Sequence, residues 1–346
     1  MSEIIETYLK NLQNKPRFEK YKSFLWADYI ELLCLANNDG ELSHNDIIDR
    51  LLERERDLFE GNYDDLKEME DLENEDNDSP TQRSEIPIRW ENYLSSWFNV
   101  LQYRQVLHKE SYPFDISDKV IKRKEDVSAE PHKLYLYLLL CSNLYLFDNT
   151  TRLTLTSSFE MVSFNAFKNI LPQQAEVHLF GSNKLNNKGK FRQGSLWKKI
   201  NALSLEINEV LDPRLNENNY PNNNTGDGGL DLVGWLPTGD RLPSSVIHFA
   251  QCACTEEWVS KQDSSSHNTW QGRILFRNHI NNTIFIPFCF RSADGAWFKI
   301  EDIRLSFLVD RKRLLHYYLQ KENISFNNLP AYQIVEEIIS AREDVV

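Results

Sequence analysis

From Tyr21 to Ala36 the chain reads YKSFLWADYIELLCLA, with apolar residues recurring at helical spacing, which predicts a helix. Ser43 and Asn45 offer side-chain oxygens to cap a second helix through IIDRLLERERDLF. A third helix is expected over 88–108, where Trp90, Tyr93, Trp97, Phe98 and Leu101 fall on one face. That stripe reads as core, with a partner surface as the competing reading. Residues 110–132 are polar, contain prolines and read as a boundary. Helices are expected again at 131–148, at 158–171 and over about 194–211, the last burying Leu196, Ile200, Leu203, Ile207 and Leu211.

After Pro213 the pattern changes period. An Asn-rich stretch from Asn216 to Asn224 leads into Gly226-Asp227-Gly228-Gly229 and the short strand LDLVGW. A turn at Pro237 precedes the apolar strand SVIHFAQCA, the short helix EEWVSKQ and the strand NTIFIPFCF. A further strand within Ile303–Val309 runs into the helix DRKRLLHYYLQ. This order predicts an α/β (α+β) chain: a helical N-terminal region, 1–125, with an acidic linker at about 60–86, followed by a domain over 126–346 with a central mixed sheet flanked by helices.

Charge and composition narrow the classes. The 346 residues carry 39 basic and 52 acidic side chains, a net charge of −13, which argues against a uniformly basic coat for non-specific DNA binding. The distribution is uneven. Residues 60–78 hold ten acids against Lys67, whereas 182–346 hold 19 bases and 19 acids, so a local basic groove can form there. The acidic stretch reads either as a self-repelling linker or as an arm that covers a basic site. The longest apolar run, Leu134 to Phe147, is broken by Ser142 and Asn143 and is too short to span a bilayer. The first residues hold acids and no apolar leader core, and the five cysteines follow no regular framework; free thiols in a reducing cytoplasm are expected.

Metal-dependent phosphodiester cleavage needs oxygens that hold a divalent cation and a positive group beside the attacking water. A β-hairpin supplies the oxygens compactly, because strand side chains alternate with period 2. Here the first strand offers Asp231, the second offers Gln251, and the position two further on is Ala253. In Gly226-Asp227-Gly228-Gly229-Leu230-Asp231 and Phe249-Ala250-Gln251-Cys252 the sequence resembles the PD-(D/E)XK nuclease superfamily, in its Mrr-type restriction-endonuclease branch. The resemblance implies a restriction-endonuclease-like core and a DNA endonuclease using Mg²⁺ or Mn²⁺. It also implies a role in bacterial restriction or anti-phage defence, with DNA, companion subunits met through the helical N-terminal region, and a further copy of the chain as partners. By position Asp231 matches the first metal-binding Asp and Gln251 the Asp/Glu/Gln metal position, while the family lysine falls at Ala253. Lys261, one turn beyond Trp258 in the next helix, is the expected replacement. Glu206 is preferred over Glu209 as a further acid from a preceding helix, and Asp227 is either an outer ligand or a turn cap. Lys190, Arg192 and Lys198 (with Lys199) and Arg311 and Arg313 (with Lys312) are the expected phosphate contacts, against solvated helix starts as the plainer reading. Ala253 and the acidic total favour the rival class: an inactive nuclease-fold subunit that binds or scaffolds.

Other motifs fail on spacing. A calcium loop with Gly40 as its sixth position would begin at Leu35, which offers no side-chain oxygen. Cys252 and Cys254 lack a second Cys/His pair, His248 reads as a core or surface histidine, and no Gly-x-Ser-x-Gly, dinucleotide or P-loop pattern occurs.

Overall fold

The computed structural model describes residues 2–14, 19–51, 82–183, 185, 189–220, 225–320 and 325–343, with side chains described from Trp90 onward in the helix that begins at Gln82. The acidic stretch and the second half of the helix expected after Ser43 lie outside these residues. The chain divides into two compact units: Met1–Val127 with Arg291–Ala296 and Glu337–Val346, and Ser128–Phe290 with Trp297–Glu336. It thus returns to the first unit twice after leaving it, which the expected division into 1–125 and 126–346 does not contain. None of the described helices is long and apolar enough to cross a membrane.

In the first unit, α1 (Glu3–Leu12) and α2 (Ser23–Ala36) precede the short strand β1 (Glu41–Ser43) and the helix α3 (Gln82–His108). Ser43 and Asp46 cap the helical residues 44–51 reciprocally, each backbone N–H donating to the other side chain at 2.7 and 3.2 Å. The aromatic stripe of α3 is core: Trp97 stacks on Trp26 with ring centroids 4.3 Å apart. Arg104 of α3, fully buried, reaches Asp28 at 2.7 Å and Glu31 at 2.8 Å on α2. The polar stretch read as a boundary holds a hairpin, β2 (Phe114–Ser117) and β3 (Val120–Arg123), and β1 joins it antiparallel in the order β1-β3-β2.

The second unit opens with α4 (Glu130–Cys141) and α5 (Asn149–Ile170), the latter capped by the Asp148 carboxylate, which accepts from Thr150 N and Thr151 N at 2.7 and 3.1 Å. There follow β4 (Glu176–Leu179), α6 (Leu196–Glu206), β5 (Val210–Leu211), β6 (Leu232–Trp235) and β7 (Ile247–Cys252). The short helices α7 (Trp258–Lys261) and α8 (His267–Trp270) lead to β8 (Ile274–Leu275), β9 (Asn281–Phe285), β10 (Phe307–Val309) and α9 (Arg311–Tyr318). Five strands form a mixed sheet in the order β10-β9-β7-β6-β4. β6 runs antiparallel to both β4 and β7, and β7, β9 and β10 run parallel. The chain is therefore α/β with a central mixed sheet, as its patterning predicts.

The register of the hairpin sorts its two faces. Val233 pairs with Phe249 and Trp235 with Ile247. Directly paired residues share a face, and these four pack with Leu196, Ile200 and Leu203 of α6. On the other face α5 lies so close that a Cβ on Gly234 would sit 2.5 Å from Leu171 Cδ1 and 3.4 Å from Phe167 Cε1. Two differences from the sequence reading matter. The edge strand β4 is not marked by its half-polar sequence EVHL. And α6 stops early, because Asn208 adopts a left-handed φ of 56°, which turns Val210–Leu211 into a strand paired with β8.

Candidate active site

Asp231 stands immediately before β6. Its N–H donates to Ala250 O at 3.0 Å and its carbonyl accepts from Phe180 N at 2.7 Å, so the backbone is pinned on both sides. Strand alternation predicts that Asp231 follows Val233 and Gln251 follows Phe249 onto one face, but the paired register ends at Leu232 and Ala250, and the charge of Glu160 reaches Asp231 from α5, the helix on the opposite face. Asp231 Oδ2 accepts from Cys252 N at 2.7 Å. The carboxyl is buried, and burial pushes its pKa well above the ordinary carboxylate range. The negative charges of Glu160 and Asp227 add to the rise, while the Cys252 N–H and the positive charge of Lys261 oppose it.

Glu160, on α5, is the acid that acts on Asp231 from a helix. Burial raises its pKa to about 7, against the pull of the Asn183 amide at 2.5 Å and of Arg192. Asn183 is held in turn by Ser157 O at 3.0 Å, so the contact is built within α5 and the segment after β4. Glu206, expected in this role, is engaged elsewhere: its carboxylate pairs with Lys190 at 2.7 Å on the exposed side of α6. Glu209 braces two loops, accepting from Ser244 N at 2.9 Å and Arg277 N at 3.3 Å. Sequence reasoning missed Glu160 because it searched the helix next to the hairpin. The available signal is that Glu160 is the lone acid in NTTRLTLTSSFEMVSFNAFKNI, an otherwise neutral or basic helix.

Lys261 ends α7. Trp258, buried against Phe290 at 4.9 Å, anchors one side of the short helix. Gln262, also buried, anchors the other by donating to Asp302 O at 2.8 Å and accepting from Arg304 N at 2.9 Å. The Lys261 side chain is half-buried and makes no ion pair or hydrogen bond among the described residues, and its charge is felt at Asp231. Ser264 ties the pieces together: its hydroxyl lies 2.6 Å from Lys261 O and 3.3 Å from Gln251 Oε1. Ala253 is buried at the end of β7 and offers no polar group.

The glycine turn before Asp231 has a steric reason. Gly228 and Gly229 have φ of +66° and +83°, and a Cβ on Gly229 would lie 2.5 Å from Ser264 Cβ. Asp227 Oδ1 caps this turn by accepting from Gly229 N at 2.7 Å, so Asp227 is a turn cap whose charge also reaches Asp231 and Glu160. Lys199, buried, donates to Thr225 O at 2.6 Å and Gly226 O at 3.1 Å, and Arg273 donates to Gly228 O at 2.9 Å. Two cations thus hold the turn by its carbonyls.

Most of the expected phosphate contacts are placed differently. Arg311 is fully buried and donates to Pro287 O, Tyr135 Oη and Ser142 Oγ at 2.8, 3.2 and 2.9 Å, so it is a strut of the core. Arg313 donates to Leu308 O at 2.7 Å and lies over the Trp297 ring at 4.8 Å. Arg192 is buried, with Nη1 3.4 Å from Phe180 O, and faces Glu160 and Asp231. Lys190 is tied to Glu206 and Glu176. Lys198 is exposed. Burial lowers the pKa of His248 and raises that of Cys252 and Cys254, which are free thiols.

Among the described residues no three His, Cys, Asp or Glu side chains converge on a metal position. The donors at hand are the carboxyls of Asp231 and Glu160 and the amide oxygen of Gln251. These are hard oxygens of the kind Mg²⁺ and Mn²⁺ take. The set fits a divalent cation in charge as well, since the negative charges of Glu160 and Asp227 raise the pKa of the buried Asp231 and a cation would relieve that repulsion. Comparison with protein-family models, with curated proteins and with solved structures finds no match to the chain.

Proposed function

We propose that the second unit hydrolyses phosphodiester bonds of DNA in a reaction that depends on Mg²⁺ or Mn²⁺. One observation carries this reading: a buried carboxyl at the start of a central strand, Asp231, feels both a helix acid, Glu160, and a lysine from the following helix, Lys261. Asp231, Glu160 and Gln251 would hold the cation, which supplies charge neutralisation and a more acidic water when bound. Asp231 is oriented by the Cys252 N–H. Lys261 would hydrogen-bond the attacking water and offset the charge that develops on the phosphate oxygens. Its place at the end of a helix anchored by Trp258 and Gln262 gives that amine a fixed origin, which Ala253 cannot offer. The sequence resemblance extends the proposal to a restriction or anti-phage nuclease acting with companion subunits, and a cytoplasmic setting belongs to the same proposal.

Nicking of supercoiled plasmid by the pure chain with Mg²⁺ or Mn²⁺ tests it. Asp231→Ala and Lys261→Ala should each lower the rate by about 100-fold or more, Glu160→Gln should do so comparably, and Glu206→Gln should leave it near that of the unaltered protein. Nicking that survives Asp231→Ala overturns the assignment.

The second reading, an inactive nuclease-fold subunit, is favoured by the buried Ala253 where a lysine is expected and by the want of a third carboxylate, imidazole or thiolate among the described residues. Titration calorimetry with Mn²⁺ separates the two: heat that disappears in Asp231→Ala supports the enzyme, and no heat in the unaltered chain supports the scaffold.

A further inference from the structure

Trp197 and Tyr220 form an aromatic stack that the cleavage chemistry leaves unused. Their ring centroids are 5.7 Å apart and their planes meet at 29°. Tyr220 packs against the hydrophobic cluster under α6 and the β6–β7 hairpin, a cluster that does not include Trp197. Both rings are half-buried. Phe191, the other aromatic among the bases of this stretch, lies fully buried within that cluster. Phe191 is therefore core, whereas the Trp197–Tyr220 stack starts on the core and leaves ring surface in water.

The stack is joined to the candidate active site. Arg273 lies close enough to Tyr220 to interact with it electrostatically and donates to Gly228 O at 2.9 Å. Lys199, two residues after Trp197, holds Thr225 O and Gly226 O. Tyr220 thus neighbours an arginine that holds the turn running into Asp231, and Trp197 reaches that turn only through its stack on Tyr220. Lys198, beside Trp197, is exposed and makes no side-chain ion pair or hydrogen bond among the described residues.

Resting on the cleavage reading, we propose that Trp197, backed by Tyr220, is a platform for one unpaired nucleobase, with Lys198 meeting a phosphate beside it. A flat ring backed by a second ring receives any base by its π-face, so the site selects for an exposed base and not for a sequence. A base inside a duplex would first have to leave its own stack, at a cost of a few kcal/mol. The substrate class is therefore a nucleic acid with a locally single-stranded segment: a free strand, a flap or a frayed end.

The test uses the full chain in EDTA, so binding is read without chemistry. A fluorescein-labelled oligothymidine of about 12 nucleotides should quench part of the protein's tryptophan emission. Trp197→Ala should weaken its binding by about tenfold, the effect of losing one base–aromatic stack. Trp197→Phe should retain most of the affinity and lose the quench. Lys198→Ala should flatten the salt dependence by about one phosphate. Affinity for a blunt duplex should change less than threefold in Trp197→Ala. Unquenched emission in the unaltered protein, or equal oligothymidine affinity in Trp197→Ala, overturns the platform and leaves the pair as a structural cover. Should Trp197→Ala fail to fold, the quench and Trp197→Phe decide. Plasmid nicking that depends on Asp231, with no effect at Trp197, removes the platform alone. Oligothymidine binding that depends on Trp197, with no nicking, removes the cleavage reading alone.

Discussion

Glu160 keeps its proton to a higher pH than a surface glutamate does. Its ordinary pKa of 4.5 rises to about 7, with burial as the largest cause. Between those two values the folded chain holds a proton that the unfolded chain has lost. Stability from this group is therefore greatest below 4.5, falls as pH rises towards 7 and is level beyond. Partial exposure limits the loss to roughly 1–3 kcal/mol. Urea unfolding in EDTA should show this as a downward slope of stability across that range, and Glu160→Gln should remove it. Equal slopes in the two proteins would mean that Glu160 is hydrated like any surface acid. The same residue shows what a single position can hide: nothing in FEMVSF distinguishes a site acid from a solvated one except that it stands alone on its helix.

At the scale of the element, the turn before β6 is held from three sides. Lys199 and Arg273 take its carbonyls, and Ser264 fills the space beside Gly229. Gly229→Ala adds a clash with Ser264 to the backbone cost of a positive φ, whereas Gly239, at φ +80°, has nothing within 4 Å of an added Cβ. Gly239→Ala should cost only about 1 kcal/mol, the strain of the left-handed region, and Gly229→Ala about 2–4 kcal/mol. Adding Ser264→Gly to Gly229→Ala should recover part of the difference in thermal melts, and no recovery would place the clash elsewhere. Lys199→Met should cost about 1–3 kcal/mol, because two carbonyls lose a buried partner; chemical denaturation reads this directly.

Across the molecule, the buried ion cluster of Arg104 and the candidate site belong to different units. Arg104, Asp28 and Glu31 lie buried in the first unit, and Asp231 in the second. Arg104→Met leaves two buried carboxylates without their guanidinium and should cost about 3–5 kcal/mol, lowering the melting temperature by about 10 °C. A cation that binds only the folded site raises the melting temperature by linkage. Scanning calorimetry should then show the Mn²⁺ shift retained in Arg104→Met and absent in Asp231→Ala. A shift lost in Arg104→Met would show that the site depends on the first unit. The overall charge of −13 is a poor guide at this scale, since ten acids lie within 60–78, outside the described residues.

What the sequence determines by itself is local. Strand alternation predicts Asp231 and Gln251 on one face of the hairpin, Gly228 and Gly229 mark the turn before it, and Ala253 shows that no lysine follows β7. The helix–strand order and the aromatic core stripe of α3 are legible for the same reason: each repeats within a few residues. Tertiary structure alone decides which acid meets Asp231, because Glu160 and Glu206 are equally polar in sequence and differ only in the helix packed near the strand end. It alone separates the bases as well. Arg311 and Lys198 both sit beside a helix start, yet one is enclosed by Pro287, Tyr135 and Ser142 and the other faces water. Spacing records which side of its own element a residue occupies, while its neighbours come from segments folded against it from far along the chain.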